Sequence, residues 1–534
     1  MNTPEKDYTC KGWLAVTALI AVLVAVSFIP PRTLGGIKLR RANILSDLID
    51  FDDAAAAGTE AATPTTFDEE EFRVDMEQVA ELIVADSLAD SVRTTFAWSL
   101  AAPDTVLRAV RPDTVRMHAR VIPIEDYDTT GMSPMKRFYE ALLGGRGVRI
   151  AVLGDSFIEG DILTADLREK LQCSYGGGGT GFAPMASPLT AFRRTVRTQA
   201  RGWNSYNIMQ RQRTPEALRG NYYVSGWVCS PETGASTRWE STDARERLDS
   251  VTTARVLFLA TEDARVEATL NDTLSRSFDI EGDPAVRQLL VTAPHIRSLN
   301  FKVNSGAKGF IGYGATFEGD GVTVDNYSVR SNNGQAMFWT NPSVNAQMNA
   351  LLGYDLVVLQ YGLNIMQAGV HAYNSYGRQV EKMVAYVRQC FPGAAVLVLG
   401  VSDRSVKGEA GFEPMDAVPY MTECQRRAAR NTGAAFWPTS EAMQALGGME
   451  RFVANGWAGK DDTHINYAGG RQVALALFDA INAGLDSAAV TLEAEARRRE
   501  AQQAVIDSLH LAELDRQLFS PDIALERPAN TSLQ

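Results

Sequence analysis

The sequence predicts an α/β protein: a parallel sheet in a three-layer α/β/α arrangement, with an inserted β-sandwich domain and an N-terminal transmembrane helix. Three observations carry this. Short apolar runs at Val148–Leu153, Asp355–Leu359 and Ala394–Val401 alternate with helical patterns at Ile162–Gln172, Tyr373–Cys390, Val418–Asn431 and Gly470–Ile481. That order builds βαβ units, and apolar strands without polar alternation are buried on both faces. Between Phe192 and Phe317 the helical signal fades and short strand patterns take over. Gly12 to Ile29 is 18 residues with no charge, about the length that crosses a bilayer.

In chain order, residues 1–30 are read as the membrane anchor. A cleaved signal peptide is the rival, but the run exceeds the usual apolar region of one, and Pro30-Pro31-Arg32 is a poor cleavage context. Residues 31–71 are read as a disordered linker, acidic and rich in Ala and Thr over FDDAAAAGTEAATPTTFDEEE. Residues 72–144 form an N-terminal extension, extended at Val121–Tyr127 and helical at Ser133–Leu143. The α/β body occupies 145–191 and 320–485, and a charged helical tail follows over 486–534.

The insertion spans 192–319. Its strand candidates are Tyr222–Cys229, Arg255–Ala260, Arg265–Leu270, Gln288–Val291, Ser298–Val303 and Gly309–Phe317, a spacing that fits a β-sandwich. Trp203, Tyr206, Tyr222, Tyr223, Trp227 and Trp239 are candidates for stacking on sugars, with core packing the rival explanation. The glycine run Tyr175–Gly181 lacks the Gly-Lys-Ser/Thr of a phosphate loop and follows a helix, so it is read as a flexible loop bordering the active cleft.

Composition narrows the function. A chain of 534 residues holds two or three domains. Its formal charge of −12 argues against nucleic acid as a partner. Five scattered cysteines (Cys10, Cys173, Cys229, Cys390, Cys424) include no C-x-x-C pair, which leaves neither a zinc cluster nor a disulfide framework.

The chemistry concentrates in four places. Gly154-Asp155-Ser156 ends the first apolar run and opens a helix-compatible segment. A serine there can attack a carbonyl where backbone N–H groups favour negative charge; an ordinary helix cap is the plain alternative. Asp461 precedes His464 by three residues, close enough to orient the imidazole of a general base. His510 also follows an aspartate, Asp507, but within the charged tail. Asn364, after the strand pattern Asp355–Leu359, offers an amide, and Gly334, after Gly321–Val329, a backbone N–H. Both suit an oxyanion hole, although alone each reads as a turn residue.

Together these residues resemble the SGNH (GDSL) hydrolase superfamily, whose Gly-Asp-Ser, Gly, Gly-x-Asn and Asp-x-x-His elements fall in order on Ser156, Gly334, Asn364 and Asp461 with His464. Two departures stand out: Ile365 replaces the acidic residue that often follows the Asn, and the gap from Ser156 to Gly334 is long. The resemblance implies an SGNH/flavodoxin-like sheet and a serine esterase without cofactor or metal. It implies a Ser156–His464–Asp461 triad, with the Ser156 N–H, Gly334 N–H and Asn364 amide as the oxyanion hole. The implied substrate is an O-acetyl group on a cell-envelope or extracellular polysaccharide, met outside the cytoplasm by a body anchored in the bilayer through residues 12–29. The flanking charge opposes that topology: Arg32, Lys38, Arg40 and Arg41 follow the apolar run, and only Lys6 and Lys11 precede it. Acyl transfer with a membrane acyltransferase partner, and glycan binding without catalysis, are the alternatives.

Overall fold

The computed structural model describes residues 32–34, 37–39, 74–86, 94–100, 120–130, 133–408, 411–461 and 463–518. The expected anchor at 12–29 and the acidic stretch 51–71 lie outside them. Among the described residues no helix is long and apolar enough to cross a membrane. The chain divides into two compact units, Met1–Thr66 and Phe67–Gln534. In the first, Arg32–Leu34 and Ile37–Leu39 pair antiparallel, so part of the segment expected to be disordered forms a short hairpin.

The second unit is organised by a six-stranded sheet. Its strands are β1 (Glu125–Asp126), β2 (Val148–Gly154), β3 (Val322–Ser328), β4 (Leu356–Gln360), β5 (Ala395–Leu399) and β6 (Ala435–Trp437). Their spatial order is β3-β2-β4-β5-β6-β1. All neighbours are parallel except β1, which pairs antiparallel with β6. The five parallel strands therefore run 2-1-3-4-5 in chain order, a doubly wound sheet whose direction of winding reverses between β2 and β4.

Alternate side chains sort this sheet into two cores. Ala151, Leu153, Val357, Leu359, Val396 and Val398 pack toward α3 (Pro342–Leu352), α4 (Asn374–Cys390) and α5 (Ala417–Thr432). Ile150, Val152, Val324, Val358, Leu397 and Leu399 pack toward α1 (Pro134–Leu143), α2 (Thr164–Tyr175) and α6 (Tyr467–Leu518). This is the expected three-layer arrangement. Local chemistry starts the helices: in α1, expected from the sequence, the Ser133 hydroxyl accepts from the Met135 N–H with Pro134 in the first turn, and in α3, which the sequence reading did not anticipate, Asn341 caps the helix ahead of Pro342.

The α6 helix differs from expectation. It runs unbroken for 52 residues, roughly 78 Å at 1.5 Å per residue, and joins the pattern Gly470–Ile481 to the charged tail.

The inserted strands form one hydrogen-bonded network of ten rather than two separate sheets. Its main path passes through Leu274–Ile280, Ala264–Leu270, Ser298–Ser305, Trp227–Ser241, Phe310–Glu318, Thr253–Ala260, Asp283–Thr292 and Thr95–Ser99, with Gly181–Pro184 and Val196–Asn207 as branches. Thr95–Ser99 comes from the N-terminal extension and pairs parallel with Asp283–Thr292. Nor is the network packed apart from the body: Leu257, Leu259, Ile311 and Tyr313 share a core with Ala151 and Leu153 of β2.

Buried charge joins the same two parts. Arg149 on β2 donates to Asp325 on β3 at 2.8 Å and to Glu318 at 2.7 Å. Asp325 also accepts from the Tyr354 hydroxyl at 2.8 Å and from the Phe182 N–H at 2.7 Å. Burial alone would push Glu318 up, but Arg149 and Arg255 hold it down at about 2.

Two sequence expectations are corrected here. Tyr222, Tyr223, Trp227 and Trp239 are buried, with the Trp239 Nε1 donating to the Pro184 carbonyl; they are core residues and offer no face to a sugar. The glycine run after α2 packs at the N-terminal end of β3, away from the strand ends that carry the site. There Gly176 accepts from the Val322 N–H at 2.9 Å, and a Cβ at Gly177, Gly178 or Gly179 would collide with the backbone of Val322, Ser250 or Phe317. The run is glycine because chain passes against chain.

Candidate active site

The C-terminal ends of β2, β3 and β4 bring three loops into the crevice at the switch point, where open α/β sheets place their sites. From β2 the chain enters a 3₁₀ turn, Ser156–Asp161, with Asp155 as its cap. Asp155 Oδ1 accepts from the Phe157 N–H at 2.9 Å. The side chain is fully buried, and that burial pushes its carboxyl up to about 7 against the pull of this hydrogen bond. Ser156 is half-buried at the start of the turn, where the first N–H groups have no partner within the turn.

The base of the turn is fixed by Asp161, which sits at φ +70°. It accepts from Thr164 Oγ1 at 2.7 Å, Arg168 Nη1 at 3.1 Å and Arg193 Nε at 2.8 Å. Burial would raise its carboxyl, but Arg168 and Arg193 hold it well below the usual carboxylate range.

From β3 the chain turns through Asn332 to Gly334. Asn332 Oδ1 accepts from the Gly334 N–H at 2.9 Å and the Ala336 N–H at 3.3 Å. Gly334 has φ +100°, and a Cβ there would meet the Met383 sulfur; only glycine suits both conditions. From β4 comes Asn364. Its Nδ2 donates to Asp155 Oδ2 at 3.1 Å and to the Asn332 carbonyl at 3.0 Å, tying the three loops together. In this structure the Gly334 N–H and the Asn364 amide are thus engaged within the protein.

Asp461 and His464 stand on a tight loop closed by the Gly459 N–H to the His464 carbonyl, 2.7 Å, and the Asn466 N–H to the Trp457 carbonyl, 3.0 Å. Asp461 Oδ2 lies 2.6 Å from His464 Nδ1, while Oδ1 accepts from the N–H groups of Thr463 and His464. Burial would raise the Asp461 carboxyl; these hydrogen bonds outweigh it and lower it. The loop is seated on the serine turn, because Tyr467 Oη lies 2.9 Å from the Gly160 carbonyl oxygen and Ile465 shares a core with Phe157 and Ile158. Among the described residues Ser156 Oγ and His464 Nε2 have no hydrogen bond to each other.

Two other histidines test the choice of His464. His510 is exposed, and Asp507 is engaged by Gln503 instead, at 2.8 Å. His371 does have a carboxylate: its Nε2 lies 2.6 Å from Asp416 Oδ2, and its ring stacks on Tyr420 at 4.4 Å. A triad base uses Nδ1 for the carboxylate and keeps Nε2 for the serine. His464 has that orientation and His371 the reverse.

Sequence reasoning missed Asp155 and Asn332 as the partners of Asn364. The identity of Asp155 was visible within Gly-Asp-Ser, but its partner lies 209 residues away. No group of three or more His, Cys, Asp or Glu side chains that could hold a metal ion occurs among the described residues.

A solved structure of a peptidoglycan O-acetylesterase matches with a TM-score of 0.56 and 24% sequence identity, over 68% of this chain and 99% of that one. The two chains share a fold. Other similar structures include the acetyl xylan esterase AlAXEase, with 15% identity over 30% of this chain and 81% of its own and a TM-score of 0.24. A catalytic mutant of Axe2, an acetylxylan esterase from Geobacillus stearothermophilus, has 15% identity over 30% and 73%, and a TM-score of 0.23. No protein-family model matches the chain, and no curated protein does.

Proposed function

We propose that the chain is a serine esterase of the SGNH type that removes O-acetyl groups from a cell-envelope or extracellular polysaccharide. The observation that carries this is the Asp461–His464 pair. It is bonded through Nδ1 with Nε2 left over, on a loop seated against the turn that begins at Ser156.

In the proposed reaction His464 Nε2 takes the Ser156 proton as Oγ attacks the ester carbonyl. Asp461 holds the ring and stabilises its charged form. The Ser156 N–H, the Gly334 N–H and the Asn364 amide serve the oxyanion, which takes over hydrogen bonds that Asn332 and Asp155 now receive. His464 returns the proton to the departing sugar hydroxyl, and water clears the acetyl-enzyme.

The His464 side chain is 53% exposed, so water has a path to the acyl-enzyme, as hydrolysis requires. The envelope glycan as substrate is supported by the fold shared with a peptidoglycan O-acetylesterase. An extracytoplasmic body rests on the anchor read at residues 12–29.

The test is acetate release from O-acetylated peptidoglycan and from acetylated xylan by the wild type, Ser156→Ala and His464→Ala. Release that both substitutions abolish supports the proposal. Acetyl transferred to an added glycan with no free acetate would replace hydrolysis by transfer. Glycan binding without turnover of any ester would leave a binding protein.

A further inference from the structure

We propose that Phe192, Arg194 and Tyr467 form a subsite for a carboxylate-bearing glycan at the rim of the serine turn. As a specificity device it rests on the esterase reading; as a binding site it stands on its own geometry.

Tyr467 follows His464 by three residues and opens α6. Its hydroxyl lies 2.9 Å from the Gly160 carbonyl oxygen, on the turn that Ser156 begins, and 2.7 Å from that of Phe192. Gly160 lies four positions after Ser156, a span of at most about 14 Å. The subsite is therefore within reach of the glycan whose ester faces Ser156.

Over the Tyr467 ring lies the Arg194 guanidinium, 4.4 Å from the centroid. Arg194 is exposed, and among the described residues no carboxylate pairs with it. The nearby acids already have partners. Glu159 is bonded to Arg330 at 3.0 Å, and Asp161 is buried between Arg168 and Arg193.

Phe192 is 69% exposed beside them. One exposed phenylalanine needs no explanation; beside an unpaired, stacked guanidinium it supplies the apolar face on which a sugar ring rests. Stacking on Tyr467 restrains the guanidinium of this exposed side chain. That reduces the ordering cost of a bidentate carboxylate contact.

The experiment is titration calorimetry of the full-length wild type, Arg194→Gln, Arg194→Lys and Arg265→Gln with oligogalacturonate and with its carboxyl-amidated form, at low and high salt. Arg265→Gln removes the same charge from an exposed pair with Asp279 in the ten-stranded network. The wild type and Arg265→Gln are expected to bind the acid form about tenfold more tightly, the size of one charge-assisted contact. That preference should shrink at high salt, vanish in Arg194→Gln and persist in part in Arg194→Lys. Absent binding, equal binding of the two forms, or a preference untouched by Arg194→Gln overturns the subsite. Failure to cleave p-nitrophenyl acetate would count against the esterase reading alone, because the binding preference is measured without turnover.

Discussion

Asn364 Nδ2 donates to Asp155 Oδ2 at 3.1 Å, so the residue beside the proposed nucleophile positions the amide proposed for the oxyanion. The same nitrogen reaches the Asn332 carbonyl, two residues before Gly334. Asn364→Ala removes both the anchor and the donor. The expected result is a fall in kcat of about 10²- to 10³-fold with KM changed by no more than a few-fold, since the donor acts where charge develops. Steady-state kinetics on p-nitrophenyl acetate checks it; an unchanged kcat would remove Asn364 from the oxyanion hole.

The Asp461–His464 pair makes a second prediction. Asp461→Asn keeps the shape of the side chain but loses the charge that stabilises a protonated ring. It should lower kcat by about 10⁴, the size expected when a triad carboxylate becomes an amide. His371→Ala, which breaks the other Asp–His pair, should leave activity within about twofold. If His371→Ala abolished ester hydrolysis and His464→Ala did not, the base would be misassigned.

These residues differ in how far the sequence reveals them. Ser156 and the Asp461–His464 pair are legible because their geometry is local: a strand ending in a turn, and three residues of loop. Of the parallel strands of the body, β2, β4 and β5 were legible from unbroken apolar runs; β3 mixes Thr, Asp and Asn with its apolar residues, and the three-residue β6 left no such signal. What tertiary packing decides was not legible. The helical pattern Gly470–Ile481 stops short of Asn482 and Gly484, yet α6 continues through them: the Asn482 Nδ2 donates to the Phe478 carbonyl at 2.9 Å, and Gly484 lets the Tyr139 ring lie against the helix. The glycines after α2 looked flexible because glycine is read as freedom; here they mark close approach. Thr95–Ser99 carries no sign that its partner strand lies nearly two hundred residues on.

A third prediction concerns how the ten-stranded network and the body unfold. Arg149 is 5% exposed and holds Asp325 and Glu318. Arg149→Met leaves Asp325 without its cation, while Glu318 keeps Arg255 at 3.2 Å. Loss of one partner from a buried ion pair costs about 3–5 kcal/mol. Urea unfolding of residues 67–534 followed by tryptophan fluorescence should report Trp239 in the strand network and Trp437 in the central sheet. Far-UV circular dichroism should give the same midpoint, and the variant should shift both signals together. Two separated transitions would show that the network is an independently folding domain.

The last prediction follows from the Asp155 carboxyl, which burial raises from an ordinary 3.8 to about 7. Between those values the folded protein keeps a proton that the unfolded chain has lost. The stability contributed by this group therefore falls as pH rises through that window and is flat above and below it, with a slope of about 1.4 kcal/mol per pH unit. Glu318 has the opposite sign: it is held at about 2, and its contribution is lost only as pH falls from the ordinary glutamate range toward that value. The two windows barely overlap, so the range from pH 4.5 to about 7 isolates Asp155. Asp155→Asn cannot ionise. The difference in unfolding free energy, wild type minus variant, should decline steadily across that range and then level off. A difference independent of pH would mean that Asp155 is ionised throughout, and that its hydrogen bonds from Phe157 and Asn364 outweigh its burial.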